Sequence, residues 1–191
     1  MPGRTFLNRL QTRSGNDHQL LVHALTPAAR SALQGLARRI VETGCHLADA
    51  RVATIGGDAS IMLLAVGSWD AVAKLESALG KLARDQELHL TYYRTQPREP
   101  GAPLLPYLVE VVAADRPGIL VRLIEFFNHH GIRIEQMNSM RYQAMQTGAD
   151  MFQAQISIGI PAELHLAALR DDFFELCDGL NLDAVLDPIK F

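Results

Sequence analysis

Residues 107–131 read YLVEVVAADRPGILVRLIEFFNHHG, and this stretch decides the fold. Its first part, Tyr107 to Ala114, is rich in apolar residues, which predicts a strand. From Pro117 to His130 the apolar residues recur at helical spacing. The residues predicted to face inward are Leu120, Leu123, Ile124 and Phe127. Gly131 stands where a helix commonly ends in a glycine, so the stretch is predicted to form a strand, a loop and a helix.

The same order of patterns occurs 87 residues earlier in the chain. Leu21-Val22 aligns with Leu108-Val109, and the alignment continues without a gap until Gly44 falls on Gly131. Sequence identity between the two segments is low, but the periodicities and the helix-ending glycines agree. The chain is therefore predicted to contain two copies of one structural unit.

The remaining patterns complete both copies. In the first copy the predicted elements are a strand (Gln19–Leu25), a helix (Ala28–Thr43), two strands (His46–Ile55 and Ser60–Val66), a helix (about Asp70–Arg84) and a strand (Glu87–Tyr93). In the second copy the helix at 117–130 is followed by strands at 132–142 and 151–160, a helix at 163–177 and a strand at 180–186. The order βαββαβ is typical of the ferredoxin-like sandwich, an α+β fold with an antiparallel sheet and both helices on one face.

We predict two such domains in tandem. The first spans residues 18–95 and the second residues 106–191, and a proline-rich linker at 96–105 joins them. Residues 1–17 are predicted to form a flexible N-terminal arm, and the spacing of Phe6, Leu7 and Leu10 allows a short docking helix as the alternative. A ferredoxin-like sheet has open edges and one face without helices, so a homodimer, or a closely packed pair of the two repeats, is expected. In the strand at 151–160, apolar residues alternate with polar ones such as Gln153 and Gln155, so its outer face could remain in water.

Composition excludes several classes of protein. Apolar residues make up 48% of the 191 residues, which is enough for folded cores. The formal net charge of −3 and the scattered basic residues argue against direct binding of nucleic acid. No run approaches the roughly 18 apolar residues of a membrane span, and the N-terminus lacks the features of a signal peptide. Only Cys45 and Cys177 are present, without metal-type spacing, so a cytoplasmic protein is predicted.

The loop between the strand and the helix of residues 107–131 could form a binding site. It reads Asp115-Arg116-Pro117-Gly118-Ile119-Leu120. Pro117 is predicted in the first helical turn, where its missing N–H costs no hydrogen bond, and Gly118 lets another group approach the backbone. The free N–H groups of a helix start attract a carboxylate. An ordinary strand-to-helix turn has the same composition, so the residues alone leave both interpretations open.

This loop in a βαββαβ unit, followed by Gly131-Ile132-Arg133-Ile134-Glu135, resembles the ACT domain family, whose small modules bind amino acids and regulate metabolism. The resemblance implies a ligand at an interface between two domains, against the first loop and the start of the second strand. Transferred to this sequence, it points to Asp115, Pro117, Gly118, Ile119, Leu120, Met137 and Asn138. Asn138 offers both a donor and an acceptor, and a solvent-facing or turn-capping asparagine is the alternative.

The resemblance further implies a small amino acid, glycine or similar, as the ligand and a protein partner such as a DNA-binding transcription regulator. The first copy departs from the family pattern in the same loop. Ala28, Arg30 and Ser31 stand where the second copy has Asp115, Pro117 and Gly118. The loss of the acid and the glycine predicts weaker binding of an amino acid at this loop, so we interpret the first copy as structural. The alternative is that Arg30 rebuilds the site differently.

Motifs of catalysis and cofactor binding are absent from the sequence. There is no Walker-type phosphate loop, no dinucleotide-binding glycine pattern and no nucleophile elbow. His129-His130 has no companion ligands at suitable spacing, so a solvated helix end is predicted and no metal site. We expect no enzymatic activity and no cofactor. Two functions stay open: an amino-acid-sensing regulator acting through a partner transcription factor, or a free-standing regulatory subunit of an amino-acid or one-carbon metabolic enzyme.

Overall fold

The computed structural model describes residues 17–28, 32–86, 88–97 and 101–189. The chain divides into two compact units, which we call unit 1 (Met1–Glu99) and unit 2 (Pro100–Phe191). This division falls within the predicted linker. Residues 1–16 of the predicted N-terminal arm lie outside the described residues, so the arm stays a prediction.

Unit 1 has the predicted order of strands and helices. Within the described residues its elements are β1 (His18–Pro27), α1 (Leu33–Glu42), β2 (His46–Ile55), β3 (Asp58–Gly67), α2 (Trp69–Gln86) and β4 (His89–Thr95). The strand order in the sheet is β2-β3-β1-β4, and neighbouring strands are antiparallel. Ser68 caps α2, because its Oγ accepts a hydrogen bond of 3.2 Å from the backbone N–H of Ala71.

Unit 2 repeats this topology. Within the described residues its elements are β5 (Leu104–Ala114), α3 (Ile119–His129), β6 (Arg133–Gln143), β7 (Asp150–Pro161), α4 (Leu166–Leu180) and β8 (Asp183–Pro188). The strand order is β6-β7-β5-β8, again antiparallel throughout. The predicted fold class, two tandem ferredoxin-like βαββαβ units, is confirmed.

The core of each unit lies between the sheet and the two helices. In unit 2 the inward side chains of β7 are at most 7% exposed: Phe152, Ala154, Ile156, Ile158 and Ile160. Gln153 and Gln155, between them, are exposed, as the alternation predicts. The same core contains Phe127 of α3 and Phe173 of α4, whose ring centroids lie 6.0 Å apart. Both helices therefore cover one face of the sheet.

The two cysteines are buried as free thiols, one in each unit. Burial raises the pKa of the Cys177 thiol to about 11, with a smaller contribution from the negative charge of Asp178. Burial also raises the pKa of Cys45. Both side chains therefore stay neutral at physiological pH and serve as small core residues rather than as nucleophiles.

Several element boundaries differ from the predicted ones. Helix α4 continues to Leu180 instead of ending at Cys177, so β8 starts at Asp183 rather than at Leu180. Asn181 ends the helix with a left-handed backbone (φ 49°), which allows Leu182 to enter the core. Strand β5 begins at Leu104, inside the segment predicted as linker, because Leu104 pairs with Pro161 of β7. Helix α1 begins at Leu33, later than the predicted Ala28.

Both units carry an irregularity in their second strand. In β2 the pairing with β3 shifts between Leu47 and Asp49, so Ala48 is an extra residue. In β6 the pairing with β7 shifts between Ile134 and Gln136, so Glu135 is the extra residue. Each β-bulge reverses the alternation of the strand beyond it, which changes the face on which later side chains lie.

Candidate functional site

The predicted binding loop connects the end of β5 to the start of α3. Its first residue is held to the sheet, because the backbone N–H of Asp115 donates a 2.9 Å hydrogen bond to the carbonyl of Asp150 at the start of β7. Unit 1 has the equivalent bond, in which Ala28 N–H donates to the carbonyl of Gly57 at 2.9 Å. Arg30 and Ser31 of that first loop lie outside the described residues.

Gly118 sets the geometry of the helix start. It is the N-cap of α3 and has a left-handed backbone, with φ at 93° and ψ at −9°. A Cβ at this position would meet no atom within 4 Å, so the space in front of the helix is open. The first intrahelical bond runs from Arg122 N–H to the Gly118 carbonyl. The N–H groups before Arg122 therefore have no acceptor within the helix.

The sequence had predicted Pro117 in the first helical turn, but the structure places it before the helix. Since Gly118 is the cap, the helix begins at Ile119 and Pro117 precedes the cap in a turn. A left-handed cap favours glycine, whereas proline is confined to negative φ, which explains why the two residues occur in this order. The left-handed backbone therefore favours glycine at position 118 whether or not a ligand approaches it.

Arg141 is a residue of this site that the sequence analysis missed. Its guanidinium forms an ion pair with the Oδ2 of Asp115, whose side chain is only 14% exposed, whereas that of Arg141 is 72% exposed. Arg141 lies opposite Phe152 in the β6·β7 pairing, close to where Asp115 leaves the sheet. The carboxylate of Asp115, which was expected to contact a ligand, therefore already forms an ion pair within unit 2. Only the strand register, with its bulge, brings these two residues together.

Arg116 connects the same loop to the C-terminal end of α4 through a hydrogen bond. Its guanidinium donates a hydrogen bond to the backbone carbonyl of Leu180, the last residue of that helix. A cation at a helix C-terminus interacts favourably with the helix dipole. The loop is therefore anchored through Asp115 and Arg116, and the turn at Pro117 and Gly118 lies exposed between these anchors and α3.

The structure separates some of the predicted ligand-binding residues. Ile119 is 5% exposed and belongs to the core of unit 2, and Leu120 packs partly buried against that core. Met137 pairs with Ile156 and so lies on the helix-covered side of the sheet. Asn138 pairs with Gln155 and lies on the opposite side. Within one unit, Met137 and Asn138 therefore cannot contact the same small ligand.

Distance along β6 also separates Met137 from the loop. Arg141, four positions further along, is the residue of β6 that meets Asp115. At a rise of about 3.3 Å per residue, Met137 lies about 13 Å away from that point. Of the predicted set, Asp115, Pro117 and Gly118 form one continuous surface, and their role in ligand binding stays a prediction.

The described parts of both units contain no group of three or more His, Cys, Asp or Glu side chains placed to hold a metal ion. His130, which the sequence assigned to a helix end, places its Nδ1 3.0 Å from the Phe126 carbonyl and its Nε2 3.4 Å from Asp172. No helix among the described residues has the length and apolar character needed to cross a membrane.

The Asp115–Arg141 pair yields a first testable expectation. Replacing Arg141 by glutamine should lower the free energy of unfolding by less than about 1 kcal/mol, because solvent screens an ion pair with one highly exposed partner. Urea denaturation of Arg141→Gln, Asp115→Asn and the double variant would give the coupling energy. A coupling above about 2 kcal/mol would show that the pair is a structural clamp instead.

Comparison with known proteins supports the resemblance to the ACT domain family. Residues 18–93, which extend from the start of β1 into β4, match the model of the ACT domain family. Unit 2 has the same strand order and connections. Unit 1 is thus similar to ACT domains, and unit 2 repeats its topology.

The chain is similar to the glycine cleavage system transcriptional repressor of Escherichia coli (strain K12), with 27% identity over 177 residues, 92% of this chain and 93% of the relative. The fold also matches a crystal structure provisionally described as a glycine cleavage system transcriptional repressor, with a TM-score of 0.69 and 23% identity over 92% of this chain and 99% of that one. An unknown protein from Galdieria sulphuraria matches with a TM-score of 0.73 and 16% identity, over 91% and 99% of the two chains.

Proposed function

We propose that this protein is a cytoplasmic, amino-acid-sensing regulator that controls transcription by binding a DNA-binding partner protein. The similarity to a transcriptional repressor extends through both units and supports the regulatory part. The amino-acid-sensing part rests on the geometry at Gly118. There a left-handed cap leaves open space in front of a helix start.

The proposed ligand is a small amino acid, glycine or similar. Its carboxylate accepts hydrogen bonds from the free N–H groups at the start of α3, where the helix dipole is positive. Its ammonium group is placed near Asp115, whose Oδ2 is held by Arg141 and whose Oδ1 is the proposed acceptor. A small side chain fits this arrangement because Pro117 and Gly118 present backbone rather than a deep pocket.

The charge of the molecule supports action through a protein partner. A protein that holds duplex DNA by its phosphates carries a concentrated basic surface, and this chain has a net charge of −3. We therefore expect no salt-sensitive binding of the isolated protein to random duplex DNA. Retardation of such a duplex at submicromolar protein in a mobility-shift assay would refute this part of the proposal.

A thermal-shift screen of the twenty amino acids tests the sensing role. A ligand that binds only the folded state adds about 2.7 kcal/mol of stability at a hundredfold excess over its Kd, which raises the Tm by several degrees. Glycine or another small amino acid is expected to give the largest shift. If none of the twenty changes the Tm at millimolar concentration, the sensing role is wrong.

Capture of partners from a native extract tests the regulatory role. With the full chain as bait, a DNA-binding regulator should be recovered, and the amount should change when the amino acid found in the screen is added. Recovery of an enzyme of amino-acid or one-carbon metabolism in its place would establish the alternative function. An immobilised Gly118→Val variant is the control, because it should retain partners in an amount that no longer responds to the amino acid.

A further inference from the structure

A basic groove lies between the two helices of unit 1. Its volume is about 530 Å³, and its cationic lining consists of Arg39 of α1 and Lys74 and Lys81 of α2. No acidic residue among the described ones belongs to this lining. The other lining residues are small or apolar: Ala73, Ser77, Ala78 and Leu82. We call these seven residues the basic groove.

The cations line both walls of the basic groove. Lys74 and Lys81 are seven residues apart on α2, which is two helical turns or about 10 Å along the axis, so they lie on the same side of that helix. Arg39 lines the wall that α1 forms. Leu82 is only 8% exposed and contributes an apolar floor. A helix lying along the groove therefore meets two cations one heptad apart, next to an apolar surface.

Two of these cations already form ion pairs, but the pairs are weak. Arg39 Nη1 lies 3.2 Å from Glu42 Oε2, and Lys74 Nζ lies 2.6 Å from Asp70 Oδ2. Each pair joins neighbours on one helix, and all four side chains are at least 44% exposed. Solvent screens such pairs, so they contribute little to stability. Neither acid lines the groove, and an incoming carboxylate can replace either of them.

The fold does not require cations here, as unit 2 shows. The strand pairs Leu25–His89 and Val112–Asp183 occupy equivalent places in the two sheets, and α2 and α4 each end three residues before the second member of the pair. In this alignment Glu175 stands in the place of Lys81. The groove between α3 and α4 is lined by Arg122, Asp172, Glu175, Leu176, Gly179 and Leu180. The same position between two helices thus carries opposite charge in the two units.

The number and placement of the cations restrict what can occupy the basic groove. Duplex DNA is held through about 6–10 phosphate contacts, whereas this groove offers three cations. A neutral apolar partner would bury those three cations without compensation, which is costly. An acidic partner compensates them, and opposite charges also accelerate association.

We propose that the basic groove binds an acidic helical segment of a protein partner, with two carboxylates one heptad apart on Lys74 and Lys81 and a third beside Arg39. The proposal rests on the proposed function, since it gives the chemistry by which the DNA-binding regulator would be recognised. It assigns the contact to unit 1, whereas the amino-acid site is proposed in unit 2. A helix in a groove is a common mode of peptide recognition.

The test uses a designed peptide and the full-length chain, so it needs neither the natural partner nor the amino acid. The probe is a fluorescein-labelled, hydrocarbon-stapled alanine-based helix with two glutamates seven residues apart and leucine between them. The control peptide has glutamine in place of both glutamates. In fluorescence anisotropy the glutamate peptide is expected to bind at least about 10-fold more tightly than the control peptide, and its affinity should fall as salt is added.

Variants then locate the contact. Lys81→Gln should weaken binding of the glutamate peptide by about 5-fold or more, and Lys81→Glu, which introduces the residue of unit 2, should weaken it further. Arg38→Gln is the matched control, because it removes the same charge from an exposed position of α1 outside the groove lining. It should change the affinity by less than about 2-fold. Circular dichroism should show that all variants are folded.

Several results would overturn the proposal. These are no binding of the glutamate peptide at millimolar concentration, equal binding of both peptides, and equal losses in Lys81→Gln and Arg38→Gln. A change in the solution mass of Lys81→Gln would assign the groove to a contact between copies of the chain. If the peptide fails to bind while capture from extract still yields a DNA-binding regulator, only the groove assignment is wrong. If the peptide binds but no regulator is captured, the proposed function is wrong.

Discussion

The Gly118→Val variant is expected to bind the amino acid at least about 100-fold more weakly than the wild-type protein, or not at all. Two effects act in the same direction. A valine side chain fills the open space in front of α3, and a β-branched residue resists the left-handed backbone with φ at 93°. The backbone strain alone should lower the stability of unit 2 by about 1–2 kcal/mol, so this substitution is not neutral for the fold.

Two further variants separate the two effects. Gly118→Ala introduces most of the strain with little bulk, and Gly118→Asn tolerates the left-handed backbone but adds a side chain. In calorimetric titrations, Gly118→Ala should bind more tightly than Gly118→Val if bulk is the main cause. Ser31→Val is the matched change in the first repeat and should have far less effect. Normal binding by Gly118→Val together with lost binding by Ser31→Val would assign the site to the first repeat.

The Phe173→Ala variant is expected to lose about 3–5 kcal/mol of stability in unit 2. Phe173 is 0% exposed, and its ring contacts those of Phe126 and Phe127 at centroid distances of 5.6 and 6.0 Å. Truncation therefore removes a large apolar side chain and leaves a cavity between α3 and α4. A loss of this size is comparable with the total stability of many small domains, so unit 2 should be largely unfolded at mild urea concentration.

Phe174 provides the control, because it neighbours Phe173 on the same helix and is only partly buried. Its ring lies beneath the guanidinium of Arg170 at 5.5 Å. Phe174→Ala should cost clearly less than Phe173→Ala, because part of its side chain is already in contact with water. Hydrogen exchange in α3 and α4 would report the change locally. Equal losses for both variants would contradict the assignment of Phe173 to the centre of the core.

The sequence predicted the fold well because the signals involved are local and occur twice. Alternating residues in β7 and a helical stripe around Leu123 predict which side of each element is buried. The inward residues of β7 and Leu123 and Phe127 of α3 do lie in the core, whereas Ile124 is only partly buried and lies outside it. Helix ends were less predictable where a residue other than glycine takes the left-handed conformation. Asn181 is such a residue, and α4 continues to Leu180, beyond the predicted end at Cys177.

The candidate site was predicted less completely, because it depends on contacts between distant residues. The loop from Asp115 to Gly118 could be found from its composition, but the partner of Asp115 could not. Arg141 reaches Asp115 only through the register of β6 on β7, which a one-residue bulge determines. Met137 and Asn138 lie on opposite sides because successive residues of a strand alternate, and the bulge decides that Met137 is the one on the helix-covered side.

The bulges in β2 and β6 also bear on the origin of the two repeats. The extra residues Ala48 and Glu135 are related by the same offset that aligns the two repeats, although their side chains have nothing in common. A common position for the bulge in both halves indicates that they descend from one unit that already contained it.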